Sequence, residues 1–191
     1  MNEPQFKTER FKVRLYRVSD AKKLLDLHTL NREFFRPFDP PMPIDFFTLD
    51  YWKNKIQNAQ NAWLEKSQIR FLIVDLDEKN VIGTINFTQL EEGPFQCCRL
   101  GYKLSKESTG QGIMTEALKL CIDFIFEELN FHRIEANYLV DNKKSAGVLS
   151  RCGFVEEGLA KKYLYINEDW QDHILTSLTN LNWKNKFIST P

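Results

Sequence analysis

The sequence lacks long apolar runs, net charge and the flanks of a targeting signal. No stretch reaches the roughly 18 apolar residues of a membrane span, and the first residues lack the basic and apolar regions of a secretory signal. The 26 basic and 26 acidic residues cancel, which excludes a global positive field that would draw the chain onto nucleic acid or an anionic membrane. We therefore expect a cytoplasmic protein with no direct nucleic-acid or membrane contact.

Cysteine is also scarce, and its spacing is that of neither a zinc site nor a disulfide framework. The four cysteines are Cys97, Cys98, Cys121 and Cys152. None forms a C-x-x-C pair, and a chain of 191 residues needs no disulfide to fold. The three histidines share no spacing with one another that suggests a ligand set. We expect reduced thiols and no metal.

The residues that are present predict a single α/β domain over residues 1–191. The 42% hydrophobic content is enough for one core, and no repeat or linker divides the chain. Apolar periodicity predicts the order β-α-α-β-β-β-α-β-α-β-β, in which three consecutive strands over residues 70–104 form an antiparallel meander. Prolines from Pro37 to Pro43 predict a loop of irregular backbone, which also includes Phe34 and Phe35. The expected sheet is mixed.

The glycine-bearing loop Thr109-Gly110-Gln111-Gly112 opens a helix with apolar residues at helical spacing. A helix N-terminus has unpaired N–H groups and partial positive charge, so such a loop can bind a phosphate through main chain alone. By itself the pattern is as often a tight turn. It has neither the G-K-[ST] ending of a P-loop nor the G-x-G-x-x-G of a dinucleotide fold.

Three segments carry a resemblance that covers Phe11 to about Trp183. They are "TGQGIMTEALKL", "HRIEANYLVDNKKSAGVLSRCGFVEEGLAKKYL" and "DWQDHILTSLTN". The chain resembles the GNAT acetyltransferases, and these segments look like the RimJ group, which acetylates the N-terminal alanine of a ribosomal protein. The resemblance implies a GNAT fold: a mixed, mostly antiparallel sheet flanked by helices, with a V-shaped splay between the fourth and fifth strands.

The resemblance also implies a site for acetyl-CoA. Backbone amides of the loop would hold the coenzyme A diphosphate, the splayed strand would pair with pantetheine, and the start of the following helix would lie beside the pantetheine and thioester. The loop residues are Thr109, Gly110, Gln111, Gly112, Ile113 and Met114. The strand residues are Tyr102, Lys103 and Leu104, and the residues at the helix start are Asn142 and Ser145. Alternatively, Asn142 is only an N-cap and Tyr102 only a core aromatic. The family loop usually begins with Gln or Arg and ends with Gly or Ala, so Thr109 and Met114 depart from it.

The acid and base of the family are not found at their usual positions. Many GNAT enzymes have a glutamate base where this chain has Arg99. A subgroup that acetylates protein N-termini has a glutamate and a tyrosine where this chain has Asn137 and Leu149. An α-amino group has a pKa of roughly 7.7–8.0, so much of it is neutral without a strong base.

The remaining candidates for catalysis are Glu135, Asn137 and Ser145, together with the tyrosines Tyr138 and Tyr163. Glu135 and Asn137 share a strand face. We expect Asn137 to orient a water that relays the amine proton towards Glu135, while Ser145 hydrogen-bonds the leaving thiolate. Glu135 is equally expected as an ordinary carboxylate paired with Arg133.

The aromatic segment Phe34-Phe35-Arg36-Pro37-Phe38 resembles the border of the acceptor cleft, which makes Phe35, Arg36 and Phe38 candidate substrate-binding residues. Its alternative role is to cover the sheet. Three functions remain open: acetylation of a ribosomal protein N-terminus by direct attack in a ternary complex, acetylation of a polyamine or aminoglycoside-like amine, and a catalytically idle CoA-binding module for ribosome assembly. The chain is expected to be a monomer or a homodimer.

Overall fold

One eight-stranded sheet organises residues 3–185, which are the residues that the computed structural model describes. Its strands are β1 Gln5–Lys7, β2 Lys12–Leu15, β3 Ile69–Val74, β4 Val81–Glu91, β5 Cys97–Leu104, β6 Arg133–Leu139, β7 Val155–Ile166 and β8 Asp169–Thr179. The spatial order is β1-β2-β3-β4-β5-β6-β8-β7. Within this sheet β5 and β6 run parallel and the other neighbours pair antiparallel, so the predicted mixed, mostly antiparallel sheet is confirmed.

Helices cover both faces of the sheet. They are α1 Ala21–Leu30, α2 Arg32–Phe35, α3 Leu49–Leu64, α4 Ile113–Asp123 and α5 Lys143–Arg151, with a π-helical turn at Phe124–Glu128 and 3₁₀ turns at Val18–Asp20, Arg36–Phe38 and Lys106–Ser108. Within residues 3–185, none of these helices is both long and apolar enough to cross a membrane.

Side-chain alternation along the strands divides the buried residues into two cores. On β3, Phe71 and Ile73 pack in a cluster with α4 and α5, whereas Leu72 and Val74 pack in a second cluster with α1 and α3. Successive strand residues point to opposite faces, so a strand buried on both sides must be apolar throughout. This explains why the β3 sequence is continuously hydrophobic.

A buried ion-pair network joins β2 to the start of α1. Arg14 is 3% exposed and forms a bidentate pair with Asp20, with N–O distances of 2.7 and 2.8 Å. The Nε of Arg14 donates to Glu78 at 2.8 Å. Hydrogen bonds from Lys12 and Arg14 lower the pKa of Glu78 to about 2. The network therefore ties the β3–β4 turn to the first helix.

Two local predictions were wrong. The short strand β1 was missed, and residues 34–38 are not irregular: α2 and a 3₁₀ turn make them helical. Pro37 lies in the first turn of the 3₁₀ segment, where its missing N–H breaks no helical hydrogen bond. A proline there is compatible with a helix that starts rather than continues.

The splay occurs where β5 and β6 stop pairing. Their parallel ladder runs from the pair Cys97–Arg133 to the pair Leu100–Ala136. Beyond Leu100, β5 continues to Leu104 while pairing with β4 alone. The edges of β5 and β6 past this point diverge as the two arms of a V. The strands β5 and β6 correspond to the fourth and fifth strands of the sequence prediction, because that prediction did not include β1.

Candidate active site

The glycine loop has the backbone geometry of an anion site. Gly110 and Gly112 have φ of +77° and +75°, and a Cβ at either position would meet no atom within 4 Å. Glycine adopts this left-handed conformation without the strain of an L side chain. Gly112 is the N-cap of α4 and provides no side chain to cap it. The first amides of α4, from Ile113 and Met114, are therefore free for an anionic ligand.

Side-chain hydrogen bonds tie the loop to the preceding 3₁₀ turn and to Arg10. Thr109 Oγ1 donates to the Lys106 carbonyl at 2.8 Å, and Gln111 Nε2 donates to the Glu107 carbonyl at 2.8 Å. Arg10 Nη1 donates to the Gln111 carbonyl at 2.8 Å from the other end of the chain. Thr109, which departs from the family pattern, thus closes the turn locally. The sequence gave no indication of the contact from Arg10.

A hydroxyl pair links β5 to α5 across the splay. The hydroxyls of Tyr102 and Ser145 lie 2.8 Å apart, and the Tyr102 hydroxyl also donates to the Ser145 carbonyl at 3.3 Å. Asn142 Oδ1 accepts from the Ser145 amide at 3.1 Å and caps α5. Burial raises the pKa of Tyr102, with the Ser145 hydrogen bond opposing it. The phenol is therefore protonated at neutral pH and can donate.

Glu135 and Asn137 lie on the same face of β6, as predicted, but Glu135 is already paired. Its carboxylate accepts from Arg133 Nε at 3.0 Å and lies 3.7 Å from Arg99 Nε. Arg99, which replaces the family glutamate, is the registered neighbour of Glu135 on β5. Asn137 is half-buried at the point where β6 leaves β5.

Two tyrosines that the sequence brought into consideration lie elsewhere. Tyr138 points to the opposite face of β6 from Asn137 and packs in the core with α4 and α5. Burial, with a hydrogen bond to Glu156, raises the pKa of Tyr138 to about 12. Tyr163 packs on His173 in the β7–β8 hairpin, with ring centroids 5.6 Å apart.

The segment from α2 to Asp39 contacts both sides of the splay. Lys103 of β5 pairs with Asp39 and lies 5.3 Å from the ring of Phe35, while Lys144 of α5 lies 5.6 Å from the ring of Phe34. Arg36 and Phe38 are exposed. Phe35, by contrast, is 4% exposed and packs against His28. The buried side chain of Phe35 therefore packs the segment against the core.

His28 is the centre of an aromatic cluster that the sequence did not reveal. Its ring stacks on Trp52 at 4.7 Å and meets Phe46 edge-on at 5.1 Å. Burial, with a contribution from the charge of Lys103, lowers the pKa of His28 to about 3. The imidazole is therefore neutral at physiological pH. The indication that the sequence offered for a buried His28 was its place on the apolar face of α1.

Gly101 leaves the other face of β5 open beside the splay. The residue is exposed, and a Cβ there would meet no atom within 4 Å. Its neighbours on β5, Arg99 and Lys103, point to the same face and form ion pairs with Glu135 and Asp39. The space over Gly101 is thus a polar-walled groove next to the V.

The cysteines do not have the properties of nucleophiles. Cys97 and Cys98 are buried at the start of β5, and burial raises the pKa of Cys97 to about 11. A thiol in that state is not the reactive thiolate. In the described part of the chain, no group of three or more His, Cys, Asp or Glu side chains could hold a metal ion.

The family model of the acetyltransferase (GNAT) domain matches residues 10–155. The chain belongs to the GNAT acetyltransferase family. It is an acyl-CoA-dependent acetyltransferase.

Three GNAT relatives illustrate the similarity. The chain is 38% identical to the Escherichia coli (strain K12) [Ribosomal protein uS5]-alanine N-acetyltransferase over 176 residues, which cover 92% of this chain and 91% of that protein. A ribosomal-protein-S5-alanine acetyltransferase structure from Vibrio fischeri superposes with a TM-score of 0.92 at 40% identity, covering 95% of this chain and 100% of that one. Mycobacterium smegmatis RimJ, solved in complex with CoA-disulfide, has a TM-score of 0.85 at 26% identity, covering 94% and 90%.

Proposed function

We propose that this enzyme transfers the acetyl group of acetyl-CoA to the N-terminal α-amine of a ribosomal protein that begins with alanine. The observation that carries the proposal is the V between β5 and β6, which has an anion-binding loop beside it and an open, polar groove over Gly101. The names of the E. coli and V. fischeri relatives support a ribosomal protein as acceptor.

In this proposal acetyl-CoA binds along one side of the V. Main-chain amides of the loop Thr109-Gly110-Gln111-Gly112 and of Ile113 and Met114 hold the diphosphate. The unpaired edge of β5 at Tyr102, Lys103 and Leu104 pairs with pantetheine, since it has hydrogen-bonding groups that β6 does not use. Asn142 caps α5 and so presents Ser145 to the thioester.

The chemistry is direct attack within a ternary complex. The neutral amine forms the new N–C bond, the C–S bond breaks, and the thiolate receives a proton from the Ser145 hydroxyl. Tyr102, 2.8 Å from Ser145 and protonated, replaces that proton and regains its own from solvent. The amine proton leaves through a water on Asn137. Its path leads towards Glu135, whose carboxylate lies 3.0 Å from Arg133 Nε and 3.7 Å from Arg99 Nε.

In this proposal the segment at residues 34–38 binds the acceptor. Arg36 and Phe38, which are exposed, contact the acceptor, while Phe35 supports them from the core. Residues 1–191 act as one GNAT domain, which we place in the cytoplasm as a monomer or homodimer without direct nucleic-acid contact.

The test incubates the purified protein with acetyl-CoA and peptides that begin with Ala, Ser, Met or acetylated Ala. Thiol release and peptide mass are followed together. One acetyl group on the α-amine of the Ala peptide, and none on the blocked peptide, supports the proposal. Turnover of polyamines or aminoglycosides in place of every peptide would indicate a small-molecule acceptor. Saturable acetyl-CoA binding without any turnover would indicate an idle binding module.

A further inference from the structure

A row of polar residues crosses the sheet from the groove over Gly101. Gly101 pairs in register with Asn86 on β4, and Asn86 pairs with Arg70 on β3. The three residues point to the face covered by α1 and α3. Gly101 is exposed, whereas Asn86 and Arg70 are half-buried, so the row becomes less exposed with distance from the groove.

Arg70 is held in place by neutral groups. Its guanidinium donates to Gln68 Oε1 at 3.2 and 2.8 Å and to Asn86 Oδ1 at 3.3 Å. Among residues 3–185, no carboxylate lies within ion-pair distance of Arg70, although 15 ion pairs occur there. A guanidinium has five N–H donors, so positions remain for another acceptor.

Lys55 adds a second cation that has no partner among the residues that the structure describes. It is half-buried on α3 one turn before Ala59, which borders a cavity that Arg70 also borders. Burial lowers the pKa of Lys55, and the charge of Arg70 lowers it further. The described residues include no hydrogen-bond or ion-pair partner for the Lys55 ammonium. Two half-buried cations near one another cost free energy unless an anion joins them.

There is room for such an anion beside Arg70. Arg70 lines a cavity of about 250 Å³ together with Tyr16, Gln60 and Trp63. Glu3 also lines the cavity, but it is exposed and lies beyond ion-pair distance of Arg70. The guanidinium therefore borders a space in which no carboxylate of residues 3–185 forms an ion pair with it.

We infer that Arg70 and Lys55 form a carboxylate subsite that selects acceptor peptides with an acidic side chain at the third or fourth residue. The inference rests on the proposed function, which brings the α-amine to the groove over Gly101. Arg70 lies two strands from Gly101, about 10 Å at roughly 4.8 Å per strand spacing. An extended peptide advances about 3.3 Å per residue, so its third or fourth residue reaches Arg70.

The test uses octapeptides that begin with Ala and carry a single Glu at the second, third, fourth, fifth or sixth position, each beside its Gln counterpart. We expect kcat/KM for Glu over Gln to rise about tenfold at the third or fourth position and to stay near one elsewhere, since a hydrogen-bonded charge pair contributes about that factor. The gain should appear mainly in KM.

Two variants test the residues. Arg70→Gln should abolish the preference for Glu while leaving the Gln peptide and the affinity for CoA unchanged, and Lys55→Gln should weaken the preference. Lys53→Gln, an exposed change on the same helix, is the control. Equal rates for Glu and Gln at every position, or an equal loss on both peptides in Arg70→Gln, would overturn the subsite. Failure of every Ala-initial peptide would overturn the proposed function and the subsite with it.

Discussion

The hydroxyl pair of Tyr102 and Ser145 allows a sharp test of how the leaving thiolate is protonated. The perturbations are Ser145→Ala, Tyr102→Phe and the double variant. Ser145→Ala keeps the helix cap, because Asn142 binds the backbone amide of residue 145 and not its side chain. Ser150→Ala, an exposed change on the same helix, controls for the gain in helix propensity.

The expected loss can be worked out from the 2.8 Å O–O distance. This length lies within the ordinary range for an O–H···O hydrogen bond, whose net contribution is about 0.5–1.5 kcal/mol, or roughly tenfold at most. Proton donation in the transition state contributes about 10²–10⁴-fold. We therefore expect Ser145→Ala to lower kcat about a hundredfold, equivalent to about 2.7 kcal/mol.

The double variant separates a proton relay from two independent contributions. If Tyr102 acts through Ser145, each single change removes the same function, and the double variant should be no slower than Ser145→Ala alone. The assay is thiol release at saturating acetyl-CoA and peptide, with thermal melting to check folding. Losses that multiply in the double variant, or a loss below about tenfold in Ser145→Ala, would refute the relay.

Three further predictions concern the loop, the ion-pair network and the aromatic cluster. Gly112→Ala should raise the Kd for CoA, measured by calorimetry, about tenfold. The control is Gly93→Ala, because Gly93 has a similar φ of +72° and equally open surroundings: it should cost a comparable amount of stability, about 1–2 kcal/mol, and leave the Kd unchanged. Equal Kd values for the two variants would contradict the assignment of the loop to CoA binding. The lowered pKa of Glu78 stabilises the fold above its unfolded value of 4.5, and this stability is lost as pH falls through about 2. Glu78→Gln should thus cost about 1–2 kcal/mol at pH 7 and progressively less under acid in urea unfolding, unlike the exposed control Asp77→Asn. The NMR signals of His28 should not shift between pH 5 and 8, because its pKa is about 3; a midpoint near 6.5 would show that the ring is solvated.

The sequence predicted most of the architecture because its signals are local. Period-two alternation and continuous apolar runs identified the strands, and the glycines at 110 and 112 marked the start of α4, where both have positive φ. The misjudged segment, residues 34–38, carries a proline whose effect depends on its place in a turn. A proline in a first turn and one that ends a helix look the same in a linear sequence.

The functional site, like the fold, has features that the sequence determined and features that only the tertiary structure decided. The loop amides, the N-cap Asn142 and the face shared by Glu135 and Asn137 follow from positions close together in the chain, and the sequence determined them. The tertiary structure alone brought Tyr102 to Ser145, Arg99 to Glu135 and Lys103 to Asp39, because those pairs are 36 to 64 residues apart or lie on different strands. Within residues 3–185 it also left Arg70 and Lys55 without a carboxylate partner, which no spacing could show. Side-chain partners across a sheet depend on strand order and register, and these are settled only when the whole core packs.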